Sequence, residues 1–368
     1  MTLNNILTTS STKTLKDCPY KFFLCYMLGI RQDREAEYFR FGHNWHMAME
    51  MLGKRLGVDA AVDAIRANYA VRPDYIPPEE WEAEYWTVAC CAIAYAEHYK
   101  DDGVQIDATE REFCVPIINP ETGHASTKWQ LAGIIDKAVT IGGRQLLGEH
   151  KTTASDLDPG SDYWRNLRLD SQPSNYIATS RSMGLDLVGV WYDLLRKPAI
   201  RPKQIAMRDF ADFLTARKYC GQDFDVVIIR ADDKRIVAVE VNGDAAPMEM
   251  LKTGVTMRET PAMFGARVMQ EVSSNPGRYF ARYELARTEA DLKAAAYELW
   301  NVMQSINSMS QSGQWYRNER ECLRMGRCEY CNICFNNLDP QHDQLDGYVT
   351  VENVHQELVL TTTTKQGD

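Results

Sequence analysis

The sequence has no apolar run approaching the ~20 residues that a membrane-crossing helix needs, so neither a membrane span nor a membrane partner is expected. It also lacks an excess of positive charge. Its 41 Lys and Arg stand against 51 Asp and Glu, a net charge of −10. That balance argues against a nonspecific coat on nucleic acid. It leaves open an enzyme that grips nucleic acid through a local basic patch around an acidic centre. The opening Met1-Thr-Leu-Asn-Asn has neither the basic nor the apolar part of a secretory leader, so a cytoplasmic location is expected. No internal repeat is visible.

With 45% hydrophobic and 25% charged residues the chain has an ordinary globular composition, and 368 residues hold two domains or one elaborated domain. Ten cysteines in a cytoplasmic chain read as thiols or metal ligands rather than disulfides. Cys25, Cys90, Cys91, Cys114 and Cys220 lie among apolar residues and read as small buried hydrophobes. Cys18 stands in Asp-Cys-Pro-Tyr, and Cys322, Cys328, Cys331 and Cys334 fall within thirteen residues, a spacing suited to metal ligation.

Acidic chemistry concentrates near the middle of the chain. Gly133-Ile-Ile-Asp-Lys-Ala-Val and Leu146-Leu-Gly-Glu-His-Lys-Thr-Thr flank Gly142-Gly143, the pattern of a β-hairpin. Alternation along a strand puts Glu149 and Lys151 on one face and His150 on the other. Asp136 and Glu149 could hold Mg²⁺ or Mn²⁺ through oxygen, and Lys151 could orient water or offset phosphate charge. A surface hairpin with a salt bridge is the plain alternative. Upstream, His46 and Glu50 share a helix face, with His43 a rival to His46. Glu50 either orients His46 or makes a surface ion pair. Downstream, Arg165, Arg168, Gln172 and Tyr176 approach one helical stripe, which Pro173 should kink or restart. Tyr163 and Trp164 either pack in the core or stack on bases. Arg31, Arg34, Arg40, Arg317, Arg320, Arg324 and Arg327 are further candidates for a basic patch.

In order, Gly42-x-x-x-His46, Asp136, Glu149-x-Lys151, Gln172-x-x-x-Tyr176 and the split cysteines resemble the PD-(D/E)XK nuclease superfamily, in its RecB-like iron–sulfur branch. The stretch from Asp162-Tyr-Trp to Arg196-Lys-Pro is most similar to small phage-encoded members. The resemblance covers roughly residues 8 to 335. It implies Asp136, Glu149 and Lys151 as catalytic residues, with metal held by His46, Asp136, Glu149 and the main-chain carbonyl of His150. Gln172 and Tyr176, with Arg165 and Arg168, would contact nucleic acid or support the site. A 4Fe–4S cluster would take Cys18, Cys322, Cys328 and Cys334, with Cys331 as the alternate; zinc also suits four thiolates.

The implied fold is α/β, a restriction-endonuclease-like core with a mixed central sheet. The expected division is a helical region over 1–105, the nuclease core over 106–245, a helical cysteine-bearing region over 246–355 and a disordered tail over 356–368. One helix is expected over 10–28 with Cys18 in its middle, and helical spacing continues over 58–100. The implied function is a metal-dependent DNA nuclease, an exonuclease acting on ends or single strands in recombination, repair or DNA processing. A recombination or helicase protein is a possible partner. The alternative is a non-catalytic DNA-end-binding protein with a zinc or iron–sulfur staple.

Overall fold

The computed structural model describes residues 5–358 except 159, 253 and 325. The chain enters along β1 (Ile6–Leu7), and Thr8 caps α1 (Thr9–Asp17). Thr8 Oγ1 accepts from the Ser11 N–H, and Ser11 Oγ accepts from the Thr8 N–H, which satisfies two donors the helix cannot satisfy itself. Cys18 is extended, at φ −159° and ψ 113°, because the ring of Pro19 drives the residue before it out of the helical region. The helix resumes as α2 (Pro19–Phe22) and runs into a π-turn at Phe23–Met27. The single helix expected over 10–28 is thus two, and Cys18 is their joint.

After β2 (Ile30–Gln32) come α3 (Glu37–Gly53), α4 (Val58–Asn68) and α5 (Pro78–His98). The helix expected over 58–100 is interrupted between Asn68 and Pro78, where Pro73 and Pro77 disfavour helix and Pro78 opens α5 from its first position. Three long strands follow, β3 (Gln105–Ile118), β4 (Ala125–Ile141) and β5 (Arg144–Thr153). Then α6 (Asp162–Leu169) and α7 (Ser171–Ser180) lead into β6 (Gly189–Arg196). Asp170 divides the two helices and caps the second, accepting from the Gln172 N–H at 3.1 Å. Pro173 then falls in the first turn of α7, where it is tolerated. The stripe expected from Arg165 to Tyr176 is therefore split between two helices.

A small unit follows: α8 (Met207–Ala216), β7 (Lys218–Tyr219), β8 (Gln222–Asp223), β9 (Val226–Arg230), β10 (Ile236–Val241), β11 (Asp244–Ala245), β12 (Met248–Leu251) and β13 (Gly254–Met257). Val239 and Val241 pack there with Ala246, Met257 and Met263 in one apolar cluster, so the expected boundary at 245/246 runs through a core. The chain continues as α9 (Pro261–Ser274), α10 (Pro276–Tyr279), β14 (Phe280–Ala286), α11 (Glu289–Ser312), α12 (Cys331–Phe335) and β15 (Tyr348–Thr350).

The central sheet runs β1-β4-β5-β6-β14, with β3 paired to β4. The β1–β4 and β5–β6 pairs are parallel and the others antiparallel, so the sheet is mixed, as expected. Its main core joins Leu7 and Leu15 from one end of the chain to Ile135, Leu147 and Tyr192 of the sheet and to Leu299 and Ile306 of α11. A second core packs Trp45, Ile65, Val88 and Phe264 of the other helices against Leu195 and Phe280. β15 pairs antiparallel with β2, which carries the cysteine segment back to the N-terminal helices. Of the expected tail, Gln356–Leu358 form a 3-10 turn in which Glu357 accepts a hydrogen bond from Thr8. Residues 359–368 lie outside the described residues. Cys25, Cys90 and Cys91 are buried as expected. Cys114 is instead exposed on β3 and Cys220 half-buried in a left-handed turn at φ 46°. Among the described residues no helix is long and apolar enough to cross a membrane.

Candidate metal and catalytic site

The two edges of β4 are used unevenly. β3 follows one edge along most of its length; the other carries β1 at Gln130 and Leu131, then β5 from Lys137 onward. Gly142 and Gly143 turn the hairpin with φ of 57° and 76°, the two positive values that a tight two-residue turn matching strand twist requires. The ladder ends at Lys137↔Gly148 while β5 runs on beside β6 to Thr153. The strands fork there, and the next residues on the two arms are Asp136 and Glu149. In place of a ladder bond, the His150 N–H donates to Asp136 Oδ2 at 2.8 Å.

Glu149 and Lys151 share a face, as alternation requires. Lys151 Nζ donates to Glu149 Oε1 at 2.7 Å; Gln172, at the start of α7, donates to the same oxygen at 2.5 Å and accepts from Lys151 Nζ at 3.1 Å. Glu149 is 2% exposed. Burial pushes its carboxyl up to about 7, with Lys151 pulling down and Asp136 pushing up. Burial would strip the Lys151 proton, but Glu149 and Asp170 outweigh it and hold the ammonium charged. The second oxygen of Glu149 is buried without a hydrogen-bond partner.

From α3, His46 places Nδ1 3.5 Å from Asp136 Oδ2. Burial opposes ionisation of Asp136, yet His46 and the His150 N–H prevail and hold it below the usual carboxylate range. Burial likewise lowers the His46 pKa, and Asp136 raises it further than that. The rival His43 lies nearer solvent; partial burial, then the neighbouring His46, lowers its pKa. The His150 ring leaves the fork altogether. Its Nδ1 lies 3.8 Å from Asp193 Oδ2, and burial, then Lys137, push it down to about 3, so it stays neutral. Glu50 pairs with Lys54 from a fully buried position, not on the surface.

Two features escaped the sequence. Glu110 lies across from Asp136, between the register pairs Thr109↔Lys137 and Arg111↔Ile135, with a left-handed φ of 47°. Burial, then the carboxylates of Asp136 and Glu50, push it up to about 8. Nothing in the local alternation marks it. Behind His150, Asp193 receives Lys137 Nζ at 2.9 Å and the Tyr95 hydroxyl, with Arg282 Nε 3.3 Å away. An aspartate inside the apolar run Val190–Leu195 was the available signal.

Tyr176 is turned into the main core. It is buried edge-on against Phe113 at 5.1 Å, and its hydroxyl lies 2.8 Å from where a Cβ on Gly133 would sit. Trp164 donates to the Leu157 carbonyl and packs on Tyr283; both it and Tyr163, which also borders Lys151, pack against the main core. Exposed Arg165 pairs with Asp162, and the Arg168 carbonyl accepts from Arg287. Arg40 is locked to buried Glu84, and Arg31 is held by the carbonyls of Cys25 and Val354; neither is available to a ligand. Arg317 bonds Asn337 and Arg324 bonds Glu321.

The fork offers Asp136, Glu149 and His46, and the orphaned Glu149 oxygen fits a cation. Among the described residues no three His, Cys, Asp or Glu side chains already converge as a formed metal centre. Cys18, from one end of the chain, lies near Cys322 and Cys334 from the other. The Asn318 N–H donates to Cys18 Sγ at 3.4 Å, and the Cys322 carbonyl accepts from the Cys328 N–H and Cys331 Sγ. Burial pushes the Cys334 thiol up to about 11, against the pull of Arg317, with Cys18, Cys322 and Cys328 adding to the rise. None of these thiols is in a disulfide, and thiolate sulfur is the donor type that suits iron or zinc.

The sequence model of the PD-(D/E)XK nuclease superfamily matches residues 6–335. No curated protein matches the chain.

Proposed function

The chain belongs to the PD-(D/E)XK nuclease superfamily, and on that premise we propose that the fork hydrolyses DNA phosphodiester bonds with Mg²⁺ or Mn²⁺. The observation that carries the reading is the triangle of Glu149, Lys151 and Gln172 beside Asp136. Asp136, the orphaned oxygen of Glu149, His46 and the His150 carbonyl would hold the cation. When bound, the cation supplies Lewis acidity toward the phosphate and toward water. Lys151, kept charged by its acidic neighbours, places a fixed positive charge where negative charge grows on the phosphate. Gln172 fixes the rotamers of both side chains, so the ammonium costs little to orient at the moment of reaction. His150 lends its main chain only.

The finer reading is an exonuclease of the RecB-like branch, phage-type, acting on ends or single strands in recombination or DNA processing. It rests on the five ordered motifs. Cys18, Cys322, Cys328 and Cys334 would hold a structural 4Fe–4S cluster, with Cys331 in reserve. The test is cleavage of end-labelled single- and double-stranded DNA in Mn²⁺ by the wild type and by Glu149→Ala. Wild-type-like cleavage by that variant overturns the assignment.

A further inference from the structure

Helix α3 carries more than His46. Phe39, His43, His46 and Glu50 recur at helical spacing and fall on one stripe of it. Their exposure declines in order. Phe39 is 57% exposed and His43 is exposed; the His46 side chain is 38% exposed and that of Glu50 is fully buried. The stripe therefore descends from solvent into the fork, covering about 10 Å between Phe39 and His46. At its outer end Tyr38, 68% exposed, lies against Phe39 with ring centroids 4.3 Å apart. Two adjacent aromatics left in water at the mouth of a site need a reason, because each would be more stable covered.

Gly42 supplies a second, independent observation. It sits inside α3, where glycine weakens a helix relative to alanine. Packing does not demand it, since a Cβ there would meet only Thr152 Oγ1, at an ordinary 3.7 Å. What the glycine does is leave α3 without a side chain where it faces Thr152, one residue beyond Lys151.

We propose that Tyr38, Phe39 and His43 form a stacking track for the unpaired bases of a single nucleic-acid strand, leading its backbone past Gly42 to the fork. The track rests on the reading of the fork as a phosphodiesterase. Bases in a duplex keep their faces inside the stack, whereas an unpaired base offers its face to an aromatic ring. Such stacking needs no basic surface and is indifferent to sequence, which suits an acidic protein. The track thus selects unpaired strands over duplex by geometry.

The test is fluorescence anisotropy of labelled oligo(dT) with the full-length protein in Ca²⁺, which substitutes for the catalytic cation without supporting cleavage. Phe39→Ala should weaken binding by roughly 5-fold or more, and Phe39→Trp should restore it. The Phe39→Ala loss should vanish on an abasic strand, and the affinity for a covalently closed duplex should not change. An iodouracil-substituted strand should photo-crosslink to Tyr38, Phe39 or His43. Both aromatics are solvent-exposed, so the variants fold. Equal oligo(dT) affinity of Phe39→Ala and wild type, an undiminished loss on the abasic strand, or crosslinks confined to other residues overturns the track. If the wild type still cleaves in Mn²⁺, those outcomes leave the reading of the fork standing. A wild type that neither binds oligo(dT) nor cleaves any DNA overturns both.

Discussion

Glu149 and Glu110 are held at about 7 and about 8, well above the value of a carboxylic acid in an unfolded chain. Between roughly pH 4.5 and 8 the folded, metal-free protein keeps protons that the unfolded chain has released. Stability therefore falls as pH rises through that window. In EDTA, Glu110→Gln should gain on the wild type as pH goes from 5 to 8.5, with a melting temperature about 2 °C or more higher at the upper end. A constant difference across pH would show that Glu110 ionises normally. Mn²⁺ should raise the wild-type melting temperature at pH 8, because a ligand for the native state stabilises it by mass action; Glu149→Gln should lose that response. The same variant should lose cleavage by at least ~100-fold, as should Asp136→Ala and Lys151→Ala. Lys151→Ala should also melt lower than Glu149→Gln, because it strips the cation from a buried carboxylate. His46→Ala should reduce activity and narrow the ratio of Mn²⁺- to Mg²⁺-supported rates, since an imidazole donor favours the softer ion. Asp136, Glu149 and Lys151 were legible because a hairpin holds them at fixed local spacing. Glu110 was not, because its place depends on a left-handed residue within a strand pairing with a segment some twenty-five residues away.

Among the elements, turns set by proline and glycine read well and their consequences less so. The Gly142-Gly143 hairpin could be seen directly. The joint at Cys18 could have been, since Pro19 forbids a helical residue before it, yet helical periodicity on both sides concealed it. That joint is what turns Cys18 toward Asn318 and the C-terminal cysteines. Cys18→Ala should lose bound metal, measured as iron and acid-labile sulfide, expected at about four each per chain in anaerobically purified wild type. Pro19→Ala, which permits α1 and α2 to fuse, should lower metal content while leaving every thiol in place. A colourless wild type with one zinc would reject the cluster and spare the nuclease reading. Gly133 shows the limit of local reading: a Cβ there would stand 2.8 Å from both Phe113 Cζ and the Tyr176 hydroxyl. Gly133→Ala should therefore cost ~1–3 kcal/mol in denaturant unfolding, through a clash that no neighbouring residue in sequence announces.

Over the whole molecule, the net charge of −10 limits how DNA can be held. Phosphate contacts must be few and local, so affinity should still fall with salt, but with a shallow slope; an affinity flat from low to moderate salt would argue against nucleic acid as the partner. The mixed sheet and its flanking helices were expected from the resemblance that the ordered motifs carry. The division into regions was not recoverable in the same way, because Leu7, Leu15, Leu299 and Ile306 share a core although they lie nearly a chain apart, and sequence spacing carries no record of which distant apolar faces meet.

The hydrogen bond from Thr8 to Glu357 brings two points near opposite ends of the described chain side by side. That proximity allows the two ends to be joined and the backbone opened elsewhere. A circular permutant, with those ends joined by a short flexible linker and new ends at the exposed β9–β10 turn around Asp232, should fold. It should also retain DNA cleavage, because the fork, α3 and the joint at Cys18 all lie away from the new opening. Rearranged in this way, the chain would begin inside the small unit and read through the cysteines before reaching the acids. Misfolding of that permutant, with the linker length varied, would show that the order in which the segments are linked matters, and not only the contacts they finally make.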